Sequence, residues 1–259
     1  MRDPATFSGW AVALQSYRFV LAHLSEAVRA AAAWYVIVLA LSFAYYPVIY
    51  PHLQLLAYPQ QAILGWMLFV SLSALIATAH ASVAVCWHRF VLLHEPPPVL
   101  FLLSGRRWTY LPLLTVAFVA IYVVVWGVSG FMAAVSYFDV AVSLALSVVG
   151  LALAGFALRY SLKLPATAID NKSMTLRRAR MAADQILTRF LWGTAVAWVP
   201  ALFVGQATTR LVMSMETMLS YFVAIAAYYA IAFAGLLVYA TYLSLSYEVL
   251  AGDVSSVFD

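Results

Sequence analysis

From Ala30 to Tyr50 the chain has no Asp, Glu, Lys or Arg, and this is one of several such runs along its length. Runs of this kind leave few folds open. About 20 consecutive apolar residues in a helix cross the roughly 30 Å of hydrocarbon in a bilayer. In hydrocarbon each backbone N–H and C=O needs a partner inside the helix or in a closed barrel, and these runs lack the alternation of barrel strands. Composition points the same way, with 66% hydrophobic and only 9% charged residues. The expected fold is therefore an all-α integral membrane protein, one membrane domain over residues 1–259. The pieces between the runs are too short to bury a core of their own.

Six transmembrane helices are expected, at about 30–50, 62–87, 110–135, 140–158, 190–208 and 218–245. Tyr45, Tyr46 and Tyr50 supply an aromatic belt at the end of the first. Arg89, His94, Glu95 and the prolines of WHRFVLLHEPPP stop the second. Residues 136–139 make a turn, and Pro200 predicts a kink in the fifth span. Residues 1–8 do not read as a cleavable signal peptide, because the first apolar run starts too late and lacks a cleavage site. Ahead of the first span, Trp10, Leu14, Tyr17, Leu21, Leu24 and Val28 recur at helical spacing. This predicts an amphipathic interfacial helix over 9–29, with an extension of the first span as the alternative. A second short amphipathic piece covers 99–108.

The loops set the orientation. Residues 159–189 form a basic loop with seven of the fourteen Lys and Arg residues: Arg159, Lys163, Lys172, Arg177, Arg178, Arg180 and Arg189. Together with Arg2, Arg18, Arg29, Arg89, Arg106 and Arg107, all but Arg210 fall on one side of a six-span layout. The positive-inside rule makes that side cytoplasmic, so both termini are expected there. The net charge of +4 then has anionic phospholipids, not nucleic acid, as its natural partner.

The layout also suggests three helical hairpins in the same orientation. Each has a basic residue where the first span begins (Arg29, Arg107, Arg189) and a related exit (HRFVLL from His88, LRYSLK from Leu158, LSYEVL from Leu245). Any six-span chain alternates in this way, so the repeat stands beside simple periodicity as one of two readings. The amphipathic start, WHRFVLLHEPP and RYSLKLPATAI together resemble uncharacterised six-span bacterial inner-membrane proteins related to the glycerophosphoryl diester phosphodiesterase membrane domain. The resemblance implies a membrane-embedded module without the soluble catalytic barrel, so it carries no catalytic residue over.

Chemistry-bearing positions are few. His80 is an ionisable residue well inside a span, on a face shared with Ser73, Ala77, Ala81 and Ala84; it would either bond a neighbouring helix or serve as a proton relay or ligand contact. Cys86, His88, His94 and Glu95 match no common zinc spacing, and a haem would lack a second axial ligand, so no metal or cofactor is expected. Arg89, Arg159 and Lys163 sit at span exits, where snorkelling to headgroups explains them. The sharper alternative gathers Arg89, Arg107 and Arg159 around one phosphate-binding pocket. Arg177, Arg178 and Arg180 suggest lipid contact or a docking face. Small-residue stripes at Ser143, Ser147, Gly150 and Ala154, and at Ala226, Ala230 and Ala234, suggest close helix packing. The expected function is non-enzymatic: an accessory or structural subunit of a membrane assembly, partnered by a membrane protein or by itself, or a lipid-interacting scaffold. The alternative is a small transporter or lipid-handling protein.

Overall fold

Ser8 starts the first helix by accepting a hydrogen bond from the Ala11 N–H (3.3 Å), which satisfies one of the free donors of the first turn. The computed structural model describes residues 7–54, 59–118, 155, 158–214 and 217–251. Helix α1 (Gly9–Ala22) ends at His23, and α2 (Leu24–Gln54) follows almost directly. Helix α3 (Pro59–Leu93) begins on a proline, whose missing N–H costs nothing there. It ends where His94 adopts φ 56° and closes the last turn with a 3.0 Å bond to the Phe90 carbonyl. After an extended stretch, a 3-10 turn (Gly105–Thr109) leads into a helical segment at 110–118.

Two short helices follow, α4 (Lys163–Ala168) and α5 (Leu176–Asp184), the latter capped by the Thr175 hydroxyl, which accepts from the Arg178 N–H at 3.2 Å. Helix α6 (Leu187–Met213) runs through Pro200 without a break. Helix α7 (Met218–Ala251) opens on a reciprocal cap: the Ser220 N–H donates to the Thr217 hydroxyl at 3.0 Å and the Thr217 N–H to the Ser220 hydroxyl at 3.1 Å.

Four of the described helices are long and apolar enough to cross a membrane: Leu24–Ala44, Val70–Leu93, Leu187–Gly205 and Leu219–Leu250. They overlap the first, second, fifth and sixth expected spans. Most of the expected spans 110–135 and 140–158 lies outside the described residues, as do the 136–139 turn and the stripe from Ser143 to Ala154.

Helix α7 is the hub. It packs against α1, α2, α3, α4 and α6, while α2 also lies along α3. Its mean hydropathy of 2.1 is the highest of the four long helices. Small residues set the closest approaches. A side chain at Gly235 would meet the Ala201 β-carbon at 2.5 Å, and one at Gly193 would strike the Gly9 carbonyl (2.6 Å) and the Tyr242 hydroxyl. The stripe expected for close packing in this helix is not the contact. Ala230 and Ala234 are exposed, and Gly235 makes the approach instead.

The N-terminal helix sits differently from a helix that only rests on a membrane surface. Gly9, Ala13, Ser16 and Val20 form a buried face against α6 and α7, with the Tyr17 hydroxyl donating to the Val196 carbonyl at 3.0 Å. The large apolar residues Trp10, Leu14 and Leu21 point outward. Small residues dock the helix on protein, and of the expected apolar face Tyr17 turns to α6 while Trp10, Leu14, Leu21, Leu24 and Val28 remain outside. The break at His23 hands residues 24–29 to α2.

Candidate functional site

Residues 79–88 of α3 and 235–244 of α7 are buried on every side. The end of α7 meets the start of α6 at one end of the bundle, where the Tyr242 hydroxyl donates to the Phe190 carbonyl at 2.8 Å. Burial this complete leaves any polar side chain dependent on a protein partner.

His88 finds two. Its Nδ1 lies 2.7 Å from the Ser244 hydroxyl and its Nε2 2.8 Å from the Tyr110 hydroxyl. In a neutral imidazole one nitrogen donates and the other accepts, so the two hydroxyls play opposite roles. One residue earlier, the Trp87 indole N–H donates to the Thr241 hydroxyl at 2.7 Å. Thr241 in turn donates to the Leu237 carbonyl at 2.8 Å. The network thus ties α3, the 110–118 segment and α7 together. Around it are buried hydroxyls with no hydrogen-bond partner of good geometry, those of Ser82, Thr194, Tyr239 and Ser246.

The first half of the basic stretch is a plug, not a free loop. Leu158, Ser161, Leu162 and every residue from Leu164 to Ile169 are buried, with α4 packed on α3, on α7 and on the 3-10 turn. Lys163 escapes by stretching to the Met174 carbonyl (2.5 Å), and partial burial draws its ammonium pKa downward. Asn171 pins the far side: its side-chain amide donates to the Tyr247 hydroxyl at 2.7 Å, and its oxygen accepts from the Ser173 N–H at 2.8 Å.

Charges around the plug fall into two groups. Arg89 holds Glu95 through two bonds, Nε at 2.7 Å and Nη2 at 2.6 Å, and also donates to the Ala168 carbonyl at 3.2 Å. Arg89 and Arg107 both reach Asp170 Oδ2, at 3.9 and 3.3 Å. Asp170 adopts φ 58° just after α4, a left-handed position that aspartate tolerates better than most residues. This group of two arginines and two carboxylates is neutral overall. Arg159 belongs to the other group: its Nε lies 3.3 Å from Asp184 Oδ1, an ionic contact without hydrogen-bond alignment. Arg180 meets the other oxygen of Asp184, also at 3.3 Å. The three arginines expected in one pocket therefore divide between two carboxylates, Arg89 and Arg107 on Asp170 and Arg159 on Asp184.

On α5, Arg177, Arg178 and Arg180 are exposed beside the exposed Leu176 and Met181. The Arg178 guanidinium donates to the Ser173 carbonyl at 2.9 Å. Below the start of this helix is a cavity of about 190 Å³ lined by Leu113, Val116, Ala117, Tyr160, Ser161, Leu164 and Leu176.

His80 lies away from this end. Its Nδ1 contacts the Ile76 carbonyl one turn back at 2.7 Å, and its ring stacks on Phe233 of α7 with centroids 4.9 Å apart. The partner is thus its own helix, with only ring contact to the neighbour. Of its expected face, Ala81 and Ala84 are buried and Ser73 is exposed. Cys86 is buried in α3, whereas His94 and Glu95 are exposed beyond its end.

Sequence reasoning passed over His88, Tyr110 and Ser244 as a unit. A signal existed: Thr241 and Ser244 recur three residues apart in an otherwise apolar run, which marks one polar face on the last span.

The described residues are all helical outside turns and connections, with four helices long and apolar enough to cross a membrane and a polar network enclosed at one end. Comparison with family models, curated proteins and solved structures finds no match to this chain.

Proposed function

We propose that this chain is a non-enzymatic, multi-pass protein of a bacterial inner membrane, acting as an accessory or structural subunit that presents a basic, lipid-binding cytoplasmic face. The observation that carries this reading is the division of charge at the basic end. Arg89 and Arg107 are neutralised within the protein by Glu95 and Asp170, so they brace the fold. The cations of α5 remain turned outward, beside exposed apolar side chains, as on a helix that lies among anionic headgroups. Helix α1 adds Trp10, Leu14 and Leu21 outward at the same end, near Arg18 and Arg29. In a layout of six spans as three hairpins, with the third and fourth at about 110–135 and 140–158, the basic end would face the cytoplasm. The resemblance to the phosphodiesterase membrane domain fits a module that works beside lipid-active partners. A second reading, lipid handling, is favoured by the cavity under α5.

Extraction from native membranes in a polymer nanodisc, followed by mass spectrometry of all co-purifying species, tests the proposal. The expected result is a stoichiometric membrane-protein partner together with enrichment of anionic phospholipid. A particle with no protein partner and bulk lipid composition would overturn it.

A further inference from the structure

We infer that the cavity beneath the start of α5 holds part of one acyl chain of an anionic phospholipid whose headgroup phosphate is taken by Arg177 and Arg180. This deepens the lipid-facing reading of the basic end and rests on it.

The cavity wall is almost wholly aliphatic, from Leu113 and Val116 on one side to Leu164 and Leu176 on the other, which suits a hydrocarbon chain and no polar ligand. Its rim is basic in a specific way. Leu176 lines the cavity, and Arg180 lies one helical turn further on the same face. Tyr160, just before the plug, is a second lining residue, and Arg180 is held at this end by Asp184 at 3.3 Å. Arg177 is exposed next to Leu176, and Lys172 is exposed just before the helix; among the described residues neither has an ion pair. Against Arg159, Lys172, Arg177, Arg178 and Arg180 this part of the surface sets one carboxylate, Asp184. Asp170 is already occupied by Arg89 and Arg107. The surplus positive charge therefore lies beside the apolar cavity and not at the neutralised arginines. A zwitterionic phospholipid brings the same phosphate but cancels its charge with its own ammonium, and so leaves the surplus cations uncompensated. An anionic lipid satisfies both parts, and guanidinium binds a phosphate with two parallel bonds.

The full-length protein in nanodiscs is illuminated with phosphatidylglycerol carrying a diazirine in its acyl chain, and in parallel with phosphatidylcholine carrying the same chain. Cross-linked residues are then mapped by mass spectrometry. Labelling at Val116 and Leu176 is expected to favour phosphatidylglycerol by about fivefold or more, and Arg177→Gln or Arg180→Gln to lower that preference by about fivefold each. Val116→Trp, at a position with its side chain partly outside, is expected to fill the cavity and remove the Leu176 cross-link. Equal labelling by the two lipids would overturn the inference, as would a Leu176 cross-link that survives Val116→Trp. Because Arg177 is exposed, its variant keeps the test decisive even if the tryptophan variant does not fold. Anionic lipid that co-purifies without labelling the cavity would sink this inference and leave the proposed lipid-binding face intact.

Discussion

Replacing His88 with alanine is expected to destabilise the protein by about 3 kcal/mol, because two buried hydroxyls lose their partner and an imidazole-sized void opens between helices. Ser244 and Tyr110 are both inaccessible to water, and each makes its bond to His88 within 2.8 Å. Polar contacts between membrane helices are often worth less than this, since the separated helices find other partners. The expected cost is nevertheless at the upper end, because one side chain bridges two helical segments at once. His88→Gln retains a donor and an acceptor and should recover about half of the loss, whereas His88→Leu fills the space but leaves both hydroxyls stranded. Equilibrium unfolding in mixed micelles, followed by tryptophan fluorescence, measures the three variants. A His88→Ala midpoint equal to that of the unchanged protein would contradict the bridging role.

Gly193→Val is the second large effect, and it acts on one helix. A β-carbon at position 193 would run into the Gly9 carbonyl and the Tyr242 hydroxyl. Backbone cannot retreat from such a contact, and Tyr242 is itself committed to the Phe190 carbonyl. Overpacking of this kind costs about 1–3 kcal/mol, and here the strain is relieved by expelling α1. Hydrogen exchange over residues 9–22 should rise sharply while α3 and α7 stay protected. Uniform protection across α1 would show that this helix docks without the glycine contact.

The division between what was legible and what was not follows from residue chemistry. Apolar runs marked α2, α3, α6 and α7, because crossing hydrocarbon requires length and hydropathy, and both are local properties. The cap of α5 is a local feature too, since Thr175 is a polar residue just ahead of the Arg-rich segment. The plug was not visible. LPATAI lies inside a segment rich in Lys and Arg, and composition averages hid an uncharged stretch that buries itself against α3 and α7.

The arginine pocket failed on a different point. Positive residues at span ends are countable in sequence, but which carboxylate each one meets depends on tertiary placement. Asp170 reaches Arg89 and Arg107 because it turns left-handed after α4. For α1 the period was right and its large apolar residues do lie outward, whereas the docking of its small residues on α6 and α7 was not legible. In a membrane the large apolar side chains suit lipid, and small residues such as Gly9 and Ala13 face protein.

These contacts describe a basic end that is closed by the plug and braced by ion pairs, with exposed cations outside it. Thiol accessibility tests that claim most directly. In a Cys86→Ala background, Ser246→Cys places a thiol of nearly native size at a buried site in the last turns of α7, and Lys172→Cys places one on the exposed rim. A membrane-impermeant maleimide should label Lys172→Cys only when the cytoplasmic side is opened to it. It should leave Ser246→Cys unlabelled from either side. Rapid labelling of Ser246→Cys from the cytoplasmic side would reveal a water-filled path through the basic end, and would replace the closed structural subunit with a transporter.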